Sequence, residues 1–187
     1  MQEKKIRTFI AIDLPEEVKH YLEAVSKELD QQMPKRAVRW VKPELMHLTL
    51  RFLGDTTVSQ LPSISKALSA HLTEKSFSLK LSQLGAFPNK NKPRVIWVGL
   101  GGEMKRLQQT QAQVETALTD LDWPPDRLPF KPHLTLGRVK QTELFKGKTW
   151  GGHVEPLAFD VTAVHLMQSE LTSKGPNYSI LESVGLS

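Results

Sequence analysis

The chain has 187 residues, 39% apolar and 24% charged, with 25 Lys and Arg against 20 Asp and Glu; this suits one soluble domain, and the net charge of +5 fits an anionic ligand such as a phosphate ester or an RNA end. There is no cysteine, which excludes disulfides, a thiolate nucleophile and Cys-based metal sites. The apolar run Phe9–Ile12 is too short for a signal-peptide core, and nowhere do about 18 apolar residues run together, so a cytoplasmic protein without a membrane span is expected.

Arg7–Leu14 is rich in β-branched and aromatic residues and reads as a buried strand. Asp13 and Pro15, followed by Glu16 and Glu17, mark a helix start. Val18, Tyr21, Leu22, Val25 and Leu29 continue it as one apolar stripe that Pro34 closes. Val38–Val41 is a short apolar-basic segment, and Pro43-Glu44 leads into His47-Leu48-Thr49-Leu50, which runs on as a strand to Gly54. Val58, Leu61, Ile64, Leu68 and Leu72 mark a second helix with Pro62 near its first turn.

Phe77–Ser82 alternates as a half-exposed strand, and after the basic turn Pro88–Pro93 the run Arg94–Leu100 reads as another apolar strand ended by Gly101-Gly102. Met104, Leu107, Val114, Leu118 and Leu121 support a third helix, with Gln111 a gap in its stripe. Pro124, Pro125 and Pro129 make an irregular approach to His133-Leu134-Thr135-Leu136. Past Gly147, Gly151 and Gly152, the segment Leu157–Leu171 alternates well enough for one long strand; Gly175-Pro176 reads as a turn and Tyr178–Val184 as the last strand.

The tetrapeptide His-Leu-Thr-Leu therefore occurs twice, at 47–50 and 133–136, 86 positions apart. Side chains alternate along a strand, so each His shares a face with its Thr about 7 Å away while the leucines face a core. The same shift lays Phe9–Leu14 on Val95–Leu100, Pro43 on Pro129 and the first helix on the third. A strand, a helix and a motif strand repeated together predict an α+β fold of two pseudo-symmetric lobes. Each lobe is expected to have an antiparallel-rich sheet with flanking helices, and if the motif strands face each other across the pseudo-two-fold, both His-Thr pairs converge on one central cleft. No linker divides residues 1–187, so one bilobal domain is expected.

Among candidate chemistries, zinc wants three or four His, Cys or carboxylate ligands, and neither motif carries an acid, so no metal is expected. Neither a Gly-x-Ser-x-Gly elbow nor a phosphate-binding glycine loop is present. His20, His71, His153 and His165 lie outside the repeat and read as surface or satisfied positions, His20 and His71 on helices. Two imidazoles facing one substrate suit general acid–base catalysis at phosphorus, because near neutral pH one can carry a proton while the other does not. Thr49 and Thr135 can each donate to a phosphoryl oxygen. Arg138 can add a fixed charge, although strict alternation turns it away from His133 and Thr135 unless the strand bulges at Gly137. A phosphate-binding module without turnover is the other reading. Lys90, Lys92, Arg94, Lys131 and Arg138 would then form a basic rim, and Trp40, Trp97 or Phe130 a stacking surface; Trp97 reads more simply as a buried strand residue and the lysines as a solvated turn.

With RTFIAIDLP, HLTLRFLG, PRVIWVGL, FKPHLTLGR and GPNYSIL spread nearly end to end, the sequence resembles the two-histidine phosphoesterase superfamily. Within it, the bacterial and archaeal RNA 2′,3′-cyclic phosphodiesterases, formerly called 2′-5′ RNA ligases, are the most similar group. The resemblance implies cofactor-free, metal-independent hydrolysis of RNA 2′,3′-cyclic phosphate ends, or of small cyclic nucleotides, to a 2′-phosphate. It implies His47 as proton donor, His133 as proton acceptor, and Thr49 and Thr135 as phosphate ligands. The pattern H-x-T-x-x-R carries over to His133, Thr135 and Arg138, whereas the first copy has Phe52 at the matching position. A monomer is expected.

Overall fold

The computed structural model describes residues 3–173 and 175–187; Met1 and Gln2, ahead of the apolar run Phe9–Ile12, lie outside the described residues. The elements run β1 (Lys5–Asp13), α1 (Glu16–Gln32), β2 (Val38–Trp40), β3 (His47–Thr57), α2 (Leu61–His71), β4 (Phe77–Phe87), β5 (Val95–Gly102), α3 (Met104–Thr119), β6 (Leu134–Val139), β7 (Ala158–Val161), β8 (Ala163–Thr172) and β9 (Gly175–Gly185). The local signals account for most boundaries. Pro15 precedes the first turn of α1, which carries Glu16 and Glu17 at the positive end of the helix dipole, and the chain turns extended at Met33 just before Pro34. Pro62 sits in the first turn of α2, where its missing N–H leaves no bond unmade.

The strands form two sheets, β3-β1-β8-β9 and β2-β6-β5-β4-β7, and every pair in both is antiparallel. The fold is thus α+β with two lobes, and the lobes exchange parts. The C-terminal strands β8 and β9 complete the sheet of β1 and β3, while β4, from the first half, pairs with β5 of the second. Helices cross over as well: α1 packs on β6 and α3 on β3. One continuous apolar core results, holding Ile10, Leu48 and Leu50 together with Ile96, Leu134 and Leu136. Both leucine pairs of the repeated motif lie in it, none more than 3% exposed.

Two expectations need correction. The alternating segment Leu157–Leu171 is not one strand: it breaks at Thr162, with β7 ending one sheet beside β4 and β8 entering the other beside β1. The carbonyl of Thr162 accepts from Leu186 N instead of a ladder partner. The last strand begins earlier than expected, at Gly175 rather than Tyr178, because Thr172 and Gly175 already face each other in the β8–β9 ladder. Lys174, next to the expected Gly175-Pro176 turn, lies outside the described residues. No helix among the described residues is long and apolar enough to cross a membrane.

Candidate active site

The 86-residue repeat extends to the pairing of strands. Ala11 faces Thr49 and Ile12 faces Leu48 in one sheet; Trp97 faces Thr135 and Val98 faces Leu134 in the other. Each motif strand also bulges at the same place. Register slips between Ile10 and Ala11 in the first lobe, and between Ile96 and Trp97 in the second, so that Leu50 is skipped in the β1–β3 register and Leu136 in the β5–β6 register. A bulge of this kind reverses the facing of everything beyond it. Arg138, opposite Val95, therefore returns to the face of Trp97 and Thr135, and Phe52, opposite Phe9, returns to the face of Thr49. Gly137 permits this conformation: a Cβ there would lie 2.6 Å from Val38 Cγ1 and 2.9 Å from Trp40 Cε3.

Both histidines are fixed in the same way. His47 Nδ1 lies 2.8 Å from Leu45 O, and His133 Nδ1 lies 2.7 Å from Lys131 O. A carbonyl oxygen only accepts, so in each ring Nδ1 carries the hydrogen and Nε2 is the nitrogen free for chemistry. In the first copy Nε2 lies 2.9 Å from Thr49 Oγ1. His133 stands one residue ahead of β6, while His47 is the first residue of β3. The two motif strands, from different sheets, touch each other, and the charge of His133 reaches His47. The two copies thus meet in one cleft.

Burial sets the electrostatics of His47, lowering its pKa below the ordinary imidazole value. The hydrogen bond to Leu45 and the Asp13 carboxylate act against burial, while His133 and Lys19 add to it. Asp13 pairs with His47 in register and is tied to the buried ammonium of Lys19 at 3.0 Å. Lys19 also reaches Glu16 at 3.1 Å; burial opposes its charge, but the hydrogen bonds to Asp13 and Glu16 prevail and its pKa is raised.

Aromatic rings wall both imidazoles, a feature that local sequence patterns do not carry. His47 lies 4.9 Å from Phe9 and 5.3 Å from Tyr178. His133 lies 5.0 Å from Phe87, edge-on, and 6.5 Å from Trp97. Trp97 is only partly buried and shares the face of Thr135, so it is a wall of the cleft rather than a core residue. Its indole takes the space beside Gly85, where a Cβ would come within 2.2 Å of the ring. The usable signal for Trp97 was its place 86 positions after Ala11, the residue that faces Thr49.

A second missed residue is Arg51, which follows the first motif and is 5% exposed. It makes a 3.0 Å ion pair with Asp126 and a 3.6 Å one with Glu115, and donates to Pro124 O. The first motif strand is thereby tied to the loop that delivers His133. The remaining histidines divide. His20 is exposed, and His71 joins two helices through Ala67 O at 3.0 Å and Asp120 at 3.0 Å. His153 lies 3.3 Å from Glu155 at the surface. His165 instead shares the cleft face through its pairing with Ala11 and bonds Ser183 Oγ at 2.9 Å. The described residues contain no cluster of three or more His or carboxylate groups able to hold a metal.

Comparison with known proteins agrees with this architecture. An RNA 2′,3′-cyclic phosphodiesterase of Archaeoglobus fulgidus is 33% identical over 94% of this chain and 98% of its own length. One from Aeropyrum pernix is 36% identical over 79% of this chain and 85% of its own. A crystal structure from Thermus thermophilus superposes with a TM-score of 0.81 at 31% identity, covering 97% of this chain and 98% of that one. The E. coli LigT complex with 3′-AMP superposes at 0.79 with 25% identity, over 98% and 99% of the two chains. The family model for LigT like phosphoesterases matches residues 12–97 and 100–178, each segment holding one of the two motifs. With that coverage and those relatives, the chain belongs to the LigT-like phosphoesterase family.

Proposed function

We propose that the protein hydrolyses the 2′,3′-cyclic phosphate at an RNA end, or in a small cyclic nucleotide, to a 2′-phosphate. The observation that carries this reading is the pair of imidazoles held in one cleft by the same Nδ1–H bond, with Nε2 of each turned away from that bond and His47 Nε2 beside Thr49 Oγ1. In the proposed reaction His133 Nε2 takes a proton from water as the water oxygen forms a bond to phosphorus. The bond from phosphorus to O3′ breaks, and His47, protonated at Nε2, gives its proton to the departing O3′. A 3′-hydroxyl and a 2′-phosphate result. Thr49 and Thr135 donate to the non-bridging oxygens, and Arg138, returned to their face by the bulge, offsets the charge that builds on them.

For His47 to start as donor it must be protonated, and burial works against that. The anionic substrate supplies the compensation, since a negative charge beside the ring favours its protonated form. The strand exchange between lobes supports treating residues 1–187 as one functional domain. Because one chain supplies both histidines, a monomer suffices, and a cytoplasmic setting accords with an RNA substrate of this kind.

The test is incubation of the purified protein, with chelator present, with an oligoribonucleotide ending in a 2′,3′-cyclic phosphate and with the corresponding mononucleotide. Appearance of the 2′-phosphate is expected. Substrate left intact across the pH range would overturn the reading, and a 3′-phosphate product would exchange the leaving oxygens.

A further inference from the structure

The cleft is electrically lopsided, and the asymmetry lies along its length. On the cleft face of β1 the side chains follow one another as Lys5, Arg7, Phe9, Ala11 and Asp13. Phe9 stands against His47, so the strand passes from basic to acidic across the reacting centre. Beyond His47, Asp13 and Asp160 line a hollow of about 230 Å³ together with His165. Two carboxylates disfavour a phosphate there, and the ammonium of Lys19 is already paired with Asp13 and Glu16.

The opposite end is basic from both lobes. Arg138 and Arg39 are direct cross-strand partners on β6 and β2, so two guanidinium groups occupy one face. Like charges placed so repel each other. Across the cleft, Arg7 and Tyr178 both face Ser169 in the ladder, and the charges of Arg138 and Arg7 both reach the Tyr178 phenol. Asp55 faces Arg7 in register, yet none of Arg7, Arg39 and Arg138 makes an ion pair within 4.0 Å among the described residues. All three are exposed. Phe52, on the same face next to Phe9, is 64% exposed.

We infer that this basic end is the exit path of the RNA strand. Arg7 and Arg39 hold internucleotide phosphates upstream of the reacting ribose, with Phe52 and Tyr178 as stacking surfaces between them. The inference rests on the function proposed above and adds to it a direction and a substrate class: single-stranded RNA of several nucleotides in preference to a cyclic mononucleotide. Guanidinium groups match phosphate oxygens in pairs, and aromatic faces stack bases without regard to sequence. Only an oligomer reaches them.

The test compares kcat/KM for a 2′,3′-cyclic mononucleotide and for a pentaribonucleotide with the same 3′ end, as a function of salt. Each neutralised phosphate adds about 0.7 to the slope of log affinity against log salt for single strands. The wild-type oligomer slope is therefore expected to exceed the mononucleotide slope by about 1.4 for two contacts. The variants Arg7→Ala and Arg39→Ala should each remove about half of that excess and lower the oligomer-to-mononucleotide ratio. Equal slopes for the two substrates in wild type, or a ratio indifferent to both substitutions, would overturn the exit path while leaving the hydrolase intact. Failure of the wild type to cleave either substrate would strike the underlying function instead.

Discussion

His47 and His133 are held by one bond repeated at one offset: each ring donates Nδ1–H to the carbonyl two residues before it, at 2.8 and 2.7 Å. The bond fixes the tautomer and leaves Nε2 as the working atom on both sides of the cleft. Two groups acting in one proton-transfer step fail together. Replacing either histidine by Ala should lower kcat by about 10²–10⁴, and the double variant should lose little beyond the worse single one. Losses that multiply would show that the two rings act in separate steps.

The proton state of His47 predicts a split between the two pH profiles. Burial lowers its pKa in the free protein, so as an acid it is competent only at a pH below its ordinary ~6.5. The alkaline limb of kcat/KM, which reports the free protein, should therefore fall below that value. The kcat limb should lie higher, because bound phosphate restores the proton. Asp13→Asn removes a charge that raises the His47 pKa, and should move the kcat/KM limb further down. If Asp13→Asn shifted the acid limb instead, His47 would be the base.

Stability follows the same groups. His47 and His165 both have folded pKa values lowered, chiefly by burial, so between those values and ~6.5 the unfolded chain binds more protons than the folded one. Their contribution is complete above ~6.5 and is lost as pH falls through the window toward the folded values. Denaturant midpoints measured across pH 4.5–7.5 should rise with pH, and His47→Asn should flatten that rise. Because the raised pKa of Glu115 acts in the opposite sense at the acid end, the decisive comparison is between variants: a His47→Asn profile parallel to that of wild type would contradict the burial of the ring.

Much of the site was legible because its signals are local and periodic. The two motifs declare their faces by alternation, and the helices by stripes such as Val18, Leu22, Val25 and Leu29, all buried as expected. The break at Thr162 was only half legible. Alternation shifts phase there, from Phe159 and Val161 to Val164 and Leu166, but a one-residue shift also fits a bulge within one strand, and only the pairing shows that the chain leaves one sheet for the other. The rings around the histidines were hidden for a related reason. Phe87 meets His133 from a strand 46 residues earlier, and Tyr178 meets His47 from the far end of the chain; cross-strand register brings them there, and a single strand's pattern does not encode its neighbours. Arg138 was the intermediate case. Its type was readable, but its facing depended on a bulge that only the β5–β6 register reveals.

That bulge can be tested at Gly137. Its missing Cβ is matched by Val38 Cγ1 at 2.6 Å and Trp40 Cε3 at 2.9 Å, so Gly137→Ala must push β2 away or unwind the bulge. Overpacking of this order costs about 1–3 kcal/mol, read from denaturant unfolding. Because Arg138 owes its facing to the same slip, KM should rise along with the loss of stability. Gly152→Ala, where a Cβ meets nothing within 4 Å, serves as the control and should change neither. A Gly137→Ala variant as stable and active as wild type would remove this glycine from the account of Arg138.

Arg51 offers the sharpest separation of folding from catalysis, since it touches neither histidine yet joins their supports. Its guanidinium pairs with Asp126 and Glu115 and donates to Pro124 O, in the segment that leads to His133. Glu115 is the more buried acid, and burial raises its pKa while Arg51 lowers it. Removing the cation therefore leaves Glu115 partly buried with Asp126 as a like-charged neighbour. Breaking a buried pair by deleting one partner costs about 3–5 kcal/mol, and the half-exposed Asp126 keeps the expected value near the lower limit. Arg51→Met should show that loss, and its stability should recover in part as pH falls and Glu115 takes up a proton. In the fraction that remains folded, the loop carrying Lys131 O loses its tether, so kcat should fall with KM little changed. The double variant Arg51→Met, Glu115→Gln relieves the stranded charge but not the loose loop: stability should return while kcat stays low. Recovery of both together would make Arg51 a folding element only, with no part in placing His133.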